Sequence, residues 1–237
     1  MTKANSVWKA HDHTPIQKLS ERLWRVEGGL PGIPMRRVMA IAKRADGSLV
    51  IHNGIAVRDA ELAEIQTWGP VKVIVVPNGW HRLDAKVFKD RFPQAQIVTP
   101  SGARKKVQEV VPVDLVYSDI AADANVEFAE LDGTKQREGV MIVRDADGAT
   151  LVFNDALFNM PHLSGAQGFI FKNITGSTGG PKVSNLFRWF IATDKAAFRA
   201  HLERLAETPN LRRIVVSHHQ TIETDPAGTL KKVAATL

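Results

Sequence analysis

The chain has 237 residues, 44% of them hydrophobic, which is enough to bury the core of one large domain or of two closely packed halves. It contains no cysteine, so disulfides, thiolate metal ligands and a cysteine nucleophile are excluded, and any metal must be held by His, Asp or Glu. The formal charge is +6, but acidic residues interleave with the basic clusters and no nucleic-acid-binding signature is present, which argues against a nucleic-acid partner.

The first 18 residues are polar and lack periodicity, which is typical of a mobile or loosely docked arm. They contain no apolar segment of signal-peptide type, and no later apolar run approaches the roughly 20 residues that span a bilayer. His11 and His13 lie in this arm, and we expect no metal site there. We therefore expect a cytoplasmic protein without a membrane partner, consisting of an N-terminal arm over residues 1–18 and a single domain over residues 19–237.

The chain continues with a β-rich region that passes into alternating strands and helices. The segments LWRVEG, RVMAIAK and SLVIHNG have strand patterns, and Asp46-Gly47 between the last two is a hairpin signal. Residues 59–68 have apolar residues at helical spacing and end at Gly69-Pro70, after which comes the buried-type strand VKVIVV. A helix over residues 83–92, stopped by Pro93, and the strand QAQIVTP complete a β-α-β-α-β order.

The second half repeats this style. We predict three strands, an amphipathic helix, a fourth strand and a last helix over residues 126–131, 139–144, 149–153, 194–207, 211–219 and 225–237. Residues 159–185 are rich in Gly, Ser, Thr and Pro without a P-loop context, and we expect a long surface loop there. Hairpins and β-α units in two halves predict an α/β (α+β) protein, a sandwich of two sheets flanked by helices.

Polar side chains follow three of the predicted strands. The turn from Asn78 to Asp84 follows VIVVP, Asn154-Asp155 follows TLVF, and His218-His219 follows RIVVS. If these three strands lie side by side, their carboxyl ends bring the imidazoles and carboxylates to one rim, where they suit zinc, iron or manganese. Each residue taken alone also has a structural explanation, such as capping a helix or holding a turn.

The order of elements resembles the metallo-β-lactamase superfamily, specifically a divergent and uncharacterised branch of it. The segments that carry the resemblance are LWRVEGGLPG, MAIAKRADGSLVIHNGIAV, VIVVPNGWHRLDAKVFKDRFPQA, LVFNDALFNM and IVVSHHQTI. The resemblance extends over most of the chain, from about residue 19 to residue 222. The resemblance implies a metallo-β-lactamase-like αββα four-layer sandwich of two mixed sheets flanked by helices, with the site at the edge that the two sheets share.

The histidine-rich motif of that superfamily is eroded in this chain. Active members carry Thr-His-x-His-x-Asp-His after the strand equivalent to VKVIVV, whereas this chain has PNGWHRLD. One register leaves no ligand, and the other places His81 on the second histidine and Asp84 on the last. Thr134 stands where the next histidine is expected, with Glu138 nearby.

Two further positions keep the superfamily pattern. The resemblance places Asp155 on the bridging aspartate and either His218 or His219 on the terminal histidine. Too few imidazoles remain for a normal dinuclear hydrolase, which uses two metals to clamp the attacking and leaving oxygens.

We therefore infer a divergent metallo-β-lactamase-fold protein that is at most a mononuclear metal-dependent hydrolase, with no cofactor or with one divalent metal (zinc, iron or manganese). Its candidate metal ligands are Asp155, His218, His81 and His219. Its candidate catalytic residues are His81 and Asp84, with Asp84 as a partner of the ligands or as general base. Asn78, Trp80 and Arg82 are candidate ligand-binding residues for a small polar or anionic molecule.

Two alternatives stay open at this point. The first is a non-catalytic, metal-free ligand-binding or scaffolding protein, in which Asn78, His81, Arg82 and Asp155 form a polar pocket. The second is a nucleic-acid-processing protein, which the net charge of +6 suggests and the interleaved acidic residues oppose. The sequence does not specify an oligomeric state.

Overall fold

The structure is a computed structural model that describes residues 4–237, so the first three residues of the predicted arm lie outside the described residues. Seven strands in chain order form sheet A: β1 Gln17–Lys18, β2 Leu23–Leu30, β3 Ile33–Lys43, β4 Leu49–His52, β5 Val71–Val75, β6 Gln96–Thr99 and β7 Leu115–Val116. Strands β1 to β4 pair antiparallel and β4 to β7 pair parallel. The parallel strands are connected by α1 Asp59–Trp68, α2 Ala85–Arg91 and α3 Arg104–Val107.

Four strands of the second half form sheet B, in the order β13-β10-β9-β8. They are β8 Val126–Glu130, β9 Gly139–Asp145, β10 Gly148–Phe153 and β13 Leu211–Val216. Strands β10 and β13 are parallel, and the other pairs are antiparallel. Helices α6 Lys195–Ala206 and α7 Pro226–Ala234 flank β13 along the chain. No helix within residues 4–237 has the length and apolar character needed to cross a bilayer.

Side-chain alternation along β3 separates two layers of the core. Val38 and Ala40 pack into the cluster between the two sheets, together with Met141 of sheet B. Met39 and Ile41 point the other way and join the cluster that also contains residues of α1 and α2. Because successive side chains of a strand face opposite sides of a sheet, one apolar run supplies both layers.

The same alternation on β10 builds the remaining layer. Val152 lies in the inter-sheet cluster, whereas Leu151 and Phe153 pack with Phe198 of α6 and Leu230 of α7. The layers are therefore helices, sheet A, sheet B and helices. This αββα sandwich confirms the fold class predicted from the sequence.

The segment over residues 159–185 is not the long surface loop that its composition suggested. It contains the two-stranded sheet of β11 Phe158–Met160 and β12 Gly180–Lys182, which encloses α4 Gly165–Asn173, and α5 Asn185–Phe190 follows at once. The prediction was wrong because Gly, Ser and Thr here serve as turn and cap residues around short elements. Ser184, for example, caps α5 by accepting a hydrogen bond from the backbone N–H of Phe187 at 3.2 Å.

The described part of the N-terminal arm, residues 4–18, packs against sheet A and α2, in contrast to the loosely docked arm that the sequence suggested. The ring of Trp8 lies 4.8 Å from that of Phe88, and its Nε1 donates to the carbonyl of Val57 at 2.9 Å. His13 is buried and accepts a hydrogen bond from the backbone N–H of Arg58. These long-range contacts offset the entropy of ordering the arm, and they have no local sequence signal.

A candidate metal centre at the edge shared by the two sheets

The candidate site residues follow strands of different sheets. His81 follows β5 in sheet A, while Asp155 and His218 follow β10 and β13, which are parallel neighbours in sheet B. The three strands therefore do not all lie side by side, as the sequence argument supposed. They meet because the sheets approach at this edge, where the backbone N–H of Val38 on β3 donates to the carbonyl of Ser217 at 2.8 Å.

Three ligand-type atoms converge at this edge. Oδ1 of Asp155 lies 3.0 Å from Nε2 of His81 and 3.1 Å from Nε2 of His218, and the two Nε2 atoms are 3.3 Å apart. This is the group within residues 4–237 in which at least three His, Asp or Glu side chains could hold one ion together. The sequence had named all three residues among its candidate metal ligands.

The hydrogen bonds of the other ring nitrogens fix the protons of the two histidines. Nδ1 of His218 lies 3.0 Å from the carbonyl oxygen of Arg36, and only a protonated Nδ1 can donate to it. Nδ1 of His81 lies 3.0 Å from Oδ1 of Asn53, whose own Nδ2 donates to the carbonyl of Val38 at 2.8 Å. In their neutral forms both imidazoles therefore carry the lone pair on Nε2, where it points at a carboxylate oxygen.

The three contacts cannot all be hydrogen bonds. With both imidazoles charged, two N–H groups face each other across 3.3 Å, and with one charged, the lone pair of the other nitrogen still faces the carboxylate oxygen. One divalent cation, in contrast, satisfies all three acceptors. Tetrahedral zinc with ligand bonds of about 2.0–2.1 Å separates its ligand atoms by roughly 3.3 Å, close to the separations found here. Two imidazoles oriented by hydrogen bonds at Nδ1, with one carboxylate, therefore fit a single zinc, iron or manganese ion.

The second oxygen of Asp155 is engaged by an amide. Nδ2 of Asn78 donates to Oδ2 of Asp155 at 2.8 Å and also to Oε1 of Glu138. The Asn78 side chain thus stands beside the carboxylate on the side away from the histidines. It presents N–H groups where a second cation would need oxygen or nitrogen lone pairs, so the arrangement favours one ion over two.

Glu138 is a buried carboxyl beside the site that the sequence argument noted but did not list as a site residue. Burial raises its pKa well above the ordinary value, and the charge of Asp155 raises it further. Its Oε2 has no hydrogen-bond partner among residues 4–237. The neutral form of Glu138 avoids repulsion with the charge of Asp155.

The charge of Asp155 is stabilised by its two neighbours. Burial alone would raise the pKa of Asp155, but the charge and hydrogen bonds of His81 and His218 outweigh burial and hold the pKa well below its ordinary range. Burial lowers the pKa of His81, although Asp155 opposes that change. The two shifts favour the deprotonated forms, a carboxylate and a neutral imidazole, and these are the forms that bind a metal.

Asp84 lies outside the three-atom cluster. Its Oδ2 accepts from Nη2 of Arg37 at 2.8 Å, its Oδ1 accepts from Nδ2 of Asn5 at 2.7 Å, and both charged side chains are buried. With both oxygens engaged, this geometry favours a structural role for Asp84 over the general-base role predicted from the sequence.

His219 also points away from the cluster. Its Nε2 accepts a hydrogen bond from the backbone N–H of Arg36 at 3.2 Å, which uses the lone pair that a metal would need. The residue has a positive φ of 65°, so the chain turns directly after His218 and sends the next side chain elsewhere. Of the two adjacent histidines, the geometry favours His218 as a candidate metal ligand.

The three candidate ligand-binding residues lie in different surroundings. Arg82 donates to the carbonyl of Lys106 and forms an ion pair of 2.8 Å with Glu109, which directs it along the surface. Oδ1 of Asn78 accepts from the backbone N–H of Trp80 and His81 at 2.8 and 2.9 Å, so this side chain shapes the turn. Trp80 is 57% exposed and lines the cavity above the cluster.

A cavity of about 540 Å³ opens onto the cluster. His81, Asp155, His218 and Arg37 lie at one end of it. Most of the remaining wall is apolar. It comes from β2, β3, the turn after β5, β11 and the α4–α5 segment, by which we mean residues 165–191: Leu30, Ile33, Met35, Leu83, Phe158, Phe171, Leu186, Phe187, Phe190 and Ile191. A concave, largely apolar pocket with a few convergent polar groups is the usual form of a small-molecule site.

Solved structures with the same architecture cover nearly the whole chain. A metallo-β-lactamase from Pontibacter korlensis has a TM-score of 0.61 at 14% identity, covering 94% of this chain and 99% of that one. The DIM-1 metallo-β-lactamase exposed to ceftazidime has a TM-score of 0.63 at 12% identity, covering 96% and 99%. A metallo-β-lactamase from Erythrobacter litoralis, with β-mercaptoethanol in its active site, has a TM-score of 0.62 at 12% identity, covering 94% and 96%.

No family model matches the sequence, and no curated protein matches it. The likeness in structure nevertheless extends over both sheets and their helices at full coverage. The chain therefore has the metallo-β-lactamase fold. At these identities the likeness establishes the fold alone, and the chemistry has to be argued from the site.

Proposed function

We propose that the protein is a mononuclear metal-dependent hydrolase. The observation that carries the proposal is the convergence of Nε2 of His81, Nε2 of His218 and Oδ1 of Asp155 within 3.3 Å, with the Nδ1 proton of each histidine held by an acceptor. A divalent cation held there would supply Lewis acidity and a bound water whose pKa falls to about 7.

The residues around the cluster prepare it for this role. Asn53 and the carbonyl of Arg36 orient the two imidazoles, and Asn78 holds the far oxygen of Asp155, so that the three ligand atoms face one point. Most of the cavity wall is apolar, so a ligand that fills the cavity would displace water from the cluster and strengthen electrostatic interactions there.

No carboxylate beside the cluster, among the residues that the structure describes, is free to act as a general base. Both oxygens of Asp155 are engaged, Asp84 is paired with Arg37, and Glu138 is held by Asn78. The proton of an attacking water would therefore pass to solvent. Since a positioned base contributes roughly 10²- to 10⁴-fold, we expect slower turnover than in an enzyme that has one.

The first test is metal content. The untagged protein is dialysed against zinc, manganese or iron, and the bound metal is measured by plasma mass spectrometry. We expect about one ion per chain, lost in His218→Ala and retained in two controls. His162→Ala removes an exposed histidine, and His219→Ala removes the neighbour that the geometry assigns to Arg36.

The outcomes separate the proposal from its alternatives. Two ions per chain would contradict the mononuclear assignment, and no retained ion under any condition would leave a metal-free binding or scaffolding protein. One ion without hydrolysis of any ester, lactone or phosphodiester would exclude the enzymatic part. A cytoplasmic location stays a prediction, and binding of nucleic acid has no support in the site beyond the net charge.

A further inference from the structure

The ionisable side chains of the cavity above the cluster lie at one end, and the rest of its wall is mostly apolar. Its ionisable groups lie at the end formed by His81, Asp155, His218 and Arg37, and the charge of Arg37 is balanced by Asp84. The wall from the α4–α5 segment offers only the hydroxyls of Thr175, Ser177 and Ser184 among aromatic and aliphatic side chains. Among residues 4–237, no lysine, arginine, glutamate or further aspartate lines this wall.

Several large apolar side chains of the wall are partly open to solvent. Trp80 is 57% exposed, Phe190 62%, Leu186 44% and Ile33 41%. All four line the cavity. Apolar surface of this kind, concentrated around one opening, marks a binding site more often than scattered exposed residues do, since a ligand can remove it from water.

We propose that this cavity binds a neutral carbonyl compound with a bulky apolar group, its carbonyl at the His81–Asp155–His218 end and its apolar group against the α4–α5 wall. The substrate class is then an ester or related acyl compound of medium chain length. The choice of a carbonyl as the reacting group rests on the proposed function. The binding of an apolar group to the wall does not depend on whether a metal is bound. A charged distal group is disfavoured because the wall has no ion to pair with it.

Binding of a homologous series that cannot be hydrolysed tests the inference without any need for activity. Linear methyl ketones of increasing chain length are titrated into the full-length protein, with and without chelator, and tryptophan fluorescence is recorded. We expect affinity to rise by about fourfold per added methylene until the cavity is filled, as transfer of about 0.8 kcal/mol per methylene implies. Affinity independent of chain length would overturn the inference.

Two matched variants locate the bound chain. Phe190→Asp places a charge on the cavity wall, while Phe169→Asp makes the same change at a residue of α4 that is 65% exposed and does not line the cavity. We expect Phe190→Asp to weaken ketone binding by about 10-fold or more and Phe169→Asp to change it by less than about twofold. Circular dichroism checks that both variants fold.

The outcomes keep this inference apart from the proposed function. Chain-length-dependent binding with no metal and no hydrolysis would support the apolar site and sink the hydrolase. The cavity proposal fails if both aspartate variants weaken ketone binding equally. It also fails if neutral phospholipid vesicles bind the protein and both variants abolish that binding, because the exposed apolar residues would then form a membrane-binding surface.

Discussion

At the residue scale, Asn53 fixes the orientation and the tautomer of the His81 imidazole. It accepts from Nδ1 of His81 at 3.0 Å and donates to the carbonyl of Val38 at 2.8 Å, and its φ of 56° is one that asparagine and glycine tolerate well. We expect Asn53→Gly to weaken metal binding by about 10- to 100-fold, because the imidazole loses the partner that fixes its tautomer. Competition with a metal-binding dye measures the change.

Asn53→Asp provides the matched control. It keeps an oxygen acceptor for Nδ1 of His81 and, like the glycine variant, loses the donor to Val38. Metal affinity in Asn53→Asp should therefore stay within about threefold of the parent protein or rise. Equal losses in both variants would mean that the bond to Val38, and not the one to His81, is the important contact.

The ion pair of Asp84 with Arg37 is a second residue-scale feature. Both side chains are buried, and removing one partner leaves the other charge unpaired in the interior. We expect Asp84→Ala to lower the free energy of unfolding by about 3–5 kcal/mol, measured by urea denaturation. A general base, in contrast, would lower kcat with little effect on stability.

Replacing both partners separates the two roles of Asp84. The double variant Arg37→Met with Asp84→Leu removes both charges and should recover much of the lost stability, since apolar residues of similar volume can replace a buried pair. A single Asp84→Ala variant as stable as the parent would show that the pair contributes nothing measurable.

The sequence could indicate the candidate metal ligands but not the contacts of the residues around them. His81, Asp155 and His218 were found because each follows a predicted strand, and strand ends converge at sheet edges. Asp84 lies only three residues after His81, yet its partner Arg37 is 47 residues away on β3. Such a long-range pair has no local signature, and therefore the sequence could not separate a base from a buried ion.

At the element scale, the sequence predicted those elements whose apolar residues repeat at regular spacing. Helix α6 was predicted over residues 194–207 and extends over Lys195–Ala206, because its apolar residues repeat at helical spacing and Asp194 caps it. The α4–α5 segment has no such repeat, since Phe169 and Trp189 face solvent and glycines interrupt the pattern. Several of its apolar residues line the cavity, and the cavity forms only when distant segments of the chain come together. Local sequence therefore gives no signal for their positions.

The cap of α6 gives a prediction at this scale. Oδ1 of Asp194 accepts from the backbone N–H of Ala197 at 3.0 Å. We expect Asp194→Ala to destabilise the protein by about 1 kcal/mol, within the range of about 0.5–2 found for such caps, and Asp194→Asn to cost only a few tenths. Urea denaturation of the three proteins checks this, and equal stability of Asp194→Ala and the parent would refute the cap.

At the scale of the whole molecule, two sheets of unequal size share one core, and the site lies where their edges meet. The sequence indicated hairpins and β-α units in each half, so the four-layer architecture could be predicted. The approach of the end of β5 to the ends of β10 and β13, which lie in the other sheet, could not be predicted from local pattern. It depends on how the side chains between the two sheets pack. The resemblance to a known superfamily supplied what local pattern lacked.

His52 links this shared core to pH. It is buried at the end of β4, and neither ring nitrogen is hydrogen-bonded to any of residues 4–237. Burial lowers its pKa from 6.5 to about 3, with a further contribution from His81. The unfolded chain therefore binds the proton more readily than the folded one between these values. The contribution to stability is complete above about pH 6.5 and is lost progressively as the pH falls toward 3.

This difference in pKa predicts the size of the effect. At pH 5 the native state should have lost about 2 kcal/mol relative to pH 8 through His52 alone. His52→Leu places an apolar side chain of similar size in the core, and its loss of stability between pH 8 and pH 5 should be smaller than that of the parent by this amount. His162→Leu changes an exposed histidine and should lose as much stability as the parent does. Urea denaturation at pH 8 and pH 5 gives the comparison. An identical loss of stability in the parent and in His52→Leu would mean that the charge of His52 is accommodated in the core, and that acid sensitivity arises elsewhere.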